Sequence, residues 1–457
     1  MPSFQKLLTS KFLTFTEQIY LIGTFFLATA PIIPLIRTVR SGSDALTHGD
    51  PIMQLLWFAD YFVLFGLIAC HGKQFFVTLT RDRWMLVLIL MVIISVTWSA
   101  IPLVTVRRSF ALICTTFIGV YLGMRYHIST QLRLLAIALG IATMLSLLFA
   151  LLLPSYGLET SGDYIDQWRG IYHQKNVLGR FMSLGSVVFL LLTLSVKRHR
   201  WLYWLGCFLS VALLLQSGSK NALASLLVSL MLIVPAAAMR IHYSIKIPIL
   251  LLITIFASGV GLFVFIDLEG VFGLMGKDMT LTGRTDLWPS LMAMWQDRPW
   301  LGFGYSGFWA GWDGPSEQIW QEFFWHPRHA HNGFLQILLE LGIVGVTLFL
   351  IRFLTAFPQA IAWVQSTKQA VDLWPLIYLP FMFLSNIAES VVLAQNNLFW
   401  ILYVAMLTTF ADRSADQSLS ATSPNVPVPF ARGNSHRRAN RRSRSYADQL
   451  QRASRTR

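Results

Sequence analysis

The 457 residues are 55% hydrophobic and only 13% charged, about half the charge that soluble domains carry. With a mean hydropathy of +0.56, this composition excludes a soluble enzyme. The net charge of +14 would suit nucleic acid, but its distribution along the chain points to a membrane and excludes a nucleic-acid partner.

Apolar runs of about 20 residues, the length that crosses a bilayer, are predicted near 18–36, 52–71, 84–102, 109–124, 132–153, 177–195, 201–217, 221–239, 247–266, 333–354, 373–388 and 395–411. They predict an all-α integral membrane protein of about twelve transmembrane helices, because backbone in lipid must satisfy its own hydrogen bonds. Lys6 and Lys11 before a run ending Ala28-Thr29-Ala30 resemble a signal peptide, but Pro31 and the many later spans favour an uncleaved anchor. Pro380, Asn386 and Glu389 interrupt the last two runs, and Asp60 is a rare charge within a span. Cys70, Cys114 and Cys207 lie in apolar segments without metal or disulfide spacing and read as packing residues.

Basic residues set the expected orientation. Lys73/Arg81/Arg83, Arg125/Arg133, Lys197/Arg198/Arg200 and Arg240/Lys246 fall in alternate short loops, which the positive-inside rule places in the cytoplasm with both termini. Glu159, Asp163, Asp166, Glu269, Asp278 and Asp286 then fall outside. A membrane domain over 1–411 is expected, followed by a basic, disordered cytoplasmic tail over 412–457 whose arginines suit an anionic leaflet.

Two expected outer loops are long, 154–176 and 267–332, and long polar loops on a rigid scaffold tend to carry function. The first brings three cations, Arg169, Lys175 and Arg180, with Asn176, to the membrane surface, where charge without a partner is costly. In the second, Thr282-Gly283-Arg284-Thr285 opens a predicted amphipathic helix with Leu287, Leu291 and Trp295 on one face and Arg284 at an anion-favouring N-terminus. That loop ends in His329-Ala330-His331-Asn332. Short outer turns add Arg107 and Arg108, and Lys220. Cations from four separate stretches thus meet the outer face, against the orientation rule, and point to an anionic ligand.

Two signals fail on context. Gly302-Phe303-Gly304-Tyr305-Ser306-Gly307 matches a dinucleotide fingerprint by letter but follows no strand. His326, His329 and His331 lack the helical spacing and fourth ligand of a zinc site.

Taken in order, Arg-Gly-x-x-x-x-Lys-Asn at 169–176, Leu281-Thr282-Gly283-Arg284-Thr285, Arg298-Pro299-Trp300-Leu301-Gly302-Phe303-Gly304 and His329-Ala330-His331-Asn332-Gly333 resemble the O-antigen ligase and polymerase superfamily, most nearly its ExoQ-type exopolysaccharide branch. The likeness runs from about Trp98 to Gly345. It implies a GT-C-like helical bundle in a bacterial inner membrane and a metal-independent glycosyltransferase without a cofactor. The implied donor is a glycan on undecaprenyl diphosphate, the acceptor a second glycan, with membrane lipids and polysaccharide-export proteins as partners. Carried over by motif, Arg169 and Arg284 would contact the diphosphate and His331 would be the base. Lys175, Asn176, Lys220, Arg107, Arg108, His329 and Asn332 would help bind substrate. Lys220 stands where many relatives have arginine, which keeps the charge and loses the bidentate fork. Polymerisation is the leading expectation. Ligation of the glycan to lipid A-core or another acceptor, and transport of an anion or lipid-linked sugar, are the alternatives.

Overall fold

The computed structural model describes residues 4–31, 50–160, 165–241 and 284–422, with side chains excepted at 4–12, 284–285, 388 and 416–422. The expected span 247–266, the motif residues 281–283 and most of the basic tail lie outside the described residues. Two units are distinguished, Met1–Asp412 and Arg413–Arg457.

The protein is an all-α membrane protein. Its helices are α1 (Phe4–Ala28), α2 (Pro51–Cys70), α3 (Gly72–Leu79), α4 (Arg83–Ile94), α5 (Pro102–Arg125), α6 (Ile128–Leu152), α7 (Lys175–Ser195), α8 (Arg200–Gln216), α9 (Lys220–Ala238), α10 (Arg284–Gln296), α11 (Glu317–Glu322), α12 (Gly333–Gln365), α13 (Trp374–Ala388) and α14 (Leu398–Thr422). Among the described residues the sole β-type pairing is an isolated bridge between Leu158 and Trp168. Among the described residues seven segments are long and apolar enough to cross a membrane, and Leu13–Ala28, Arg83–Thr97 and Arg200–Gln216 are shorter apolar helices. Each expected span that lies among the described residues falls on a helix, although the first begins earlier and ends at Ala28.

Local chemistry sets several boundaries. Asp50 caps α2 by accepting from the backbone N–H groups of Ile52 and Met53 (2.9 and 3.1 Å), and Asp82 caps α4 through Met85 N–H (3.0 Å). Pro102 sits at the first position of α5, where its missing N–H costs nothing. This helix therefore begins before the expected span at 109. Arg107 and Arg108, expected in a turn, lie in the second turn of α5. Lys220 likewise opens α9 instead of lying in the turn before it.

Packing is closest around α7, which is mostly buried, and along the first half of α14, buried throughout Leu398–Phe410. Two α5 glycines one turn apart allow α14 to approach. A β-carbon on Gly119 would stand 2.7 Å from Val404 Cβ, and one on Gly123 would stand 2.5 Å from the Ala405 carbonyl. Small residues at this spacing are how helices pack closely where lipid gives no hydrophobic drive.

The segment between α10 and α12 forms its own small core. Leu287 and Leu291 are fully buried there with Phe308, Trp309, Ile319 and Ala330, and Trp295 packs against them, as the amphipathic pattern of α10 requires. Arg298–Gly304 is stitched onto a break in α12. At Gly342 the backbone is left-handed (φ +66°) and the helix kinks. Phe303 N–H donates to the Leu339 carbonyl (2.8 Å) and Ile343 N–H to the Pro299 carbonyl (2.9 Å). The motif thus supplies partners that the broken helix has lost, the physical reason its glycines serve packing and not a nucleotide.

Candidate functional site

At one end of the bundle lies a cavity of about 280 Å3. Its walls come from α5 (Arg108), the stretch leading into α7 (His173, Gln174), α7 itself (Arg180), the α10–α12 segment (Tyr305, Trp309, Arg328, His329), α12 (Gln336, Glu340) and the turn between α13 and α14 (Glu389 and Gln395 among others). Three guanidinium groups from separate parts of the chain face one space. Arg180 lies against the rings of Phe181 and Phe399, at 5.7 and 5.5 Å, and its Nε has no hydrogen-bond partner among the described residues.

The histidine pair stands at this wall. The His329 and His331 ring centroids are 3.8 Å apart, and His331 N–H donates to His329 Nδ1 at 3.2 Å. His331 Nδ1 lies 3.9 Å from a Glu389 carboxylate oxygen, with the two side chains 17% and 19% exposed. Burial alone would raise the Glu389 carboxyl. The adjacent imidazole of His331 and the guanidinium charge of Arg180 outweigh that and hold it well below the usual carboxylate range. Glu389 is therefore ionised wherever the protein is folded near neutrality.

The loop carrying the pair is fixed on both sides. Ala330 N–H donates to Gln336 Oε1 (3.0 Å), while the Ala330 carbonyl accepts from Trp288 Nε1 (3.0 Å). Gln336 Oε1 also accepts from Trp309 Nε1 (3.0 Å), and its amide donates to Glu340 (2.6 Å). These bonds hold His331 in a left-handed conformation (φ +49°) that a non-glycine residue adopts only under constraint. Asn332, expected to help bind substrate, caps α12 through Phe334 N–H and Leu335 N–H (3.0 and 3.2 Å). Opposite, Asn386 Oδ1 accepts from Val391 N–H and Val392 N–H, both at 3.2 Å, and shapes the turn that begins at Glu389.

The other expected site residues divide. Arg108 and His329 line the cavity; Arg107 lines an adjoining groove. Asn176 lines a small cleft that Arg180 and Glu389 share with the cavity. Arg169 does not line the cavity. Its Nε donates to the Tyr156 carbonyl (2.9 Å), a terminal nitrogen donates to the Ser155 carbonyl (3.4 Å), and it pairs with Glu159 at 3.6 Å. Lys175 is bound to Gln167 through its ammonium group, and its N–H donates to Glu159 (2.9 Å). Lys220 is half-buried at the start of α9 and lines none of these spaces. Arg284 opens α10, its side chain outside the described residues.

The histidine trio, set aside as a zinc site on its spacing, does not assemble. His326 packs against Trp312 and Trp320, and Glu389 takes the third place beside His329 and His331. Their ligand atoms lie within 4.8 Å of one another, a grouping able to hold a metal ion. Sequence reading counted Arg180 among the three cations beside the start of α7 without naming a role for it, and gave no role to Arg328 or Glu389. The available signal was charge within or against apolar runs, which membranes tolerate only with a partner or a function.

Comparison with known proteins agrees with the family that the motifs resemble. Residues 205–350 match the O-antigen ligase family, Wzy_C. The chain is 29% identical over 289 residues to the exopolysaccharide production protein ExoQ of Rhizobium meliloti (strain 1021), covering 60% of this chain and 64%, under two thirds, of that protein. The resemblance carried by the motifs is thus met by similarity to the O-antigen ligase family over residues 205–350 and to ExoQ over 289 residues.

Proposed function

We propose that the protein is a membrane glycosyltransferase that joins glycans carried on undecaprenyl diphosphate, polymerising oligosaccharide repeats into an exopolysaccharide on the outer face of a bacterial inner membrane. Support comes above all from one observation: Arg108, Arg180 and Arg328 face a single cavity bordered by His329 and Glu389, with His331 against both.

In this reading the acceptor hydroxyl oxygen attacks C1 of the donor sugar as the bond from C1 to the diphosphate oxygen breaks. The electron pair leaves with the diphosphate, and fixed guanidinium groups stabilise the charge as it develops. His331 takes the acceptor proton, a role typically worth about 10²–10⁴-fold. Glu389 orients the ring and stabilises the imidazolium that forms. Arg284, placed by motif at the start of α10, would add a further cation. The histidine–glutamate pair acts here as a base, without a metal.

Purified protein in liposomes, given lipid-linked repeats alone, tests the proposal. A ladder of lengthening products is expected, and lost in an Arg108→Gln, Arg180→Gln double variant. Product that forms only when a separate acceptor is added would make the enzyme a ligase. No glycan product under either condition would refute glycosyl transfer.

A further inference from the structure

Asp60 is a charge within a span, and the proposed reaction gives it no part. It is the tenth of the 20 residues of α2, halfway along a helix apolar enough to cross a membrane. Two hydroxyls of α1 hold its carboxylate: Thr24 Oγ1 donates at 2.6 Å and the Tyr20 hydroxyl at 3.2 Å. The other titratable groups facing it are its neighbour Tyr61 and, on α5, Cys114. Among the described residues no cation pairs with it. Glu17 of α1 is the contrast: fully buried, it has Arg125 at 3.0 Å and accepts from the Tyr126 hydroxyl at 2.9 Å. A carboxylate inside a membrane needs a partner or a function, and one without a cation is neutralised by a proton.

These polar groups are aligned. Glu17, Tyr20 and Thr24 recur at spacings of three and four residues and share one face of α1. At the end away from the cavity, His71 Nε2 lies 4.0 Å from Glu17, while its Nδ1 donates to the Leu67 carbonyl (3.1 Å) and its side chain is 18% exposed. Toward the cavity, the Tyr61 hydroxyl donates to Asn396, whose N–H donates to Thr115 (2.8 Å). Tyr61 and Asn396 line a groove of about 240 Å3 that shares Arg108 and Gln395 with the cavity. Between Arg108 and Arg125, which mark the two ends, α5 rises about 26 Å at 1.5 Å per residue, close to the roughly 30 Å of a hydrocarbon core.

We propose that this line of carboxyls, hydroxyls and one imidazole is a proton path across the membrane, with Asp60 as its midway proton-binding site. In each hop one O–H or N–H bond breaks as the next forms. Asp60 gives its carboxyl proton to an oxygen on one side and takes another from the opposite side, so no net bond change remains and no co-reactant is consumed. His71 exchanges protons with solvent at one end, and the groove with the cavity at the other. The path stands apart from glycan transfer and is a second activity of the same bundle.

Dicyclohexylcarbodiimide tests the site, because it reacts with a carboxyl that carries a proton. Its nitrogen takes that proton, the carboxyl oxygen bonds to its central carbon, and rearrangement leaves an acylurea that mass spectrometry locates. In nanodiscs near neutral pH, labelling is expected at Asp60 and absent at the Arg125-paired Glu17. Liposomes with an entrapped pH dye and an imposed potential test the path. The parent should admit protons, Asp60→Asn should fall to the rate of empty liposomes, and Asp60→Glu should keep the flux. Labelling should also abolish the flux of the parent, a result that needs no variant to fold. No label at Asp60, a label that sodium blocks at constant pH, or a parent flux that survives labelling overturns the proposal. Neither readout uses a glycan, so a protein that transfers none leaves the proton path to be decided on its own.

Discussion

Replacing Glu389 with glutamine keeps the size of the side chain and removes its charge. The carboxylate lies 3.9 Å from His331 Nδ1, and in the proposed reaction that imidazole becomes charged only as it takes the acceptor proton. A full charge pair at this distance is worth about 4 kcal/mol at an effective dielectric of about 20. Both side chains are partly reached by solvent, 17% and 19% exposed, and the glutamine dipole keeps part of the attraction. About half the pair energy, about 2 kcal/mol, therefore falls on the transition state, a roughly 30-fold loss of rate. Because the pairing charge forms only in the proposed proton transfer, the loss belongs in kcat and leaves KM within about threefold. Single-turnover assays with lipid-linked repeats measure the split, and Glu389→Asp should recover part of the rate. A Glu389→Gln enzyme with kcat within about twofold of the parent would refute the pairing as a catalytic device. Stability gives a second reading. Since the folded carboxyl is held below its usual range, its stabilising contribution is complete above the ordinary glutamate value of about 4.3 and disappears only as the pH falls below that range. The melting-temperature gap between parent and Glu389→Gln should therefore persist down to about pH 5.5 and close in strong acid. A gap already lost at about pH 5.5 contradicts the depressed carboxyl.

Arg169→Lys separates support from chemistry. The arginine fork is occupied by the Tyr156 and Ser155 carbonyls and by Glu159, so the variant should lose about 1–3 kcal/mol of stability, visible in the melting temperature. Assayed well below that temperature it should keep kcat within about threefold; loss of catalysis without loss of stability would return Arg169 to the diphosphate. Gly342→Ala should abolish a monodisperse gel-filtration peak, since a methyl group there collides with the Trp300 carbonyl in a left-handed backbone. Normal yield and melting temperature would show that the α12 kink is not required. Exhaustive chelation should leave glycan transfer unchanged. Activity lost to chelator and restored by zinc would make His329, His331 and Glu389 a metal centre.

The membrane character was readable because it depends on composition and run length. A segment of about 20 apolar residues must be helical in lipid whatever its neighbours, and so the spans were found before any packing was known. The face of α10 was equally readable from the spacing of Leu287 and Leu291. Boundaries were less so. Arg107 and Arg108 looked like loop residues because charge interrupts hydropathy, although Pro102 starts the helix before them.

The chemistry of the site was readable only as a list of residue types. His329, His331 and Arg108 were singled out as cations and a base near one surface, and they do meet. Arg169 was singled out on the same grounds, yet its hydrogen bonds are used within its own loop. Glu389 looked like a flaw between two spans. Sequence determined that this chain crosses a membrane and carries polar groups suited to an anionic ligand, since both follow from local composition and motif. Only the tertiary structure decided which of those charges share a cavity. That depends on side chains 60 to 280 positions apart reaching within a few ångströms, and no local preference encodes such distances.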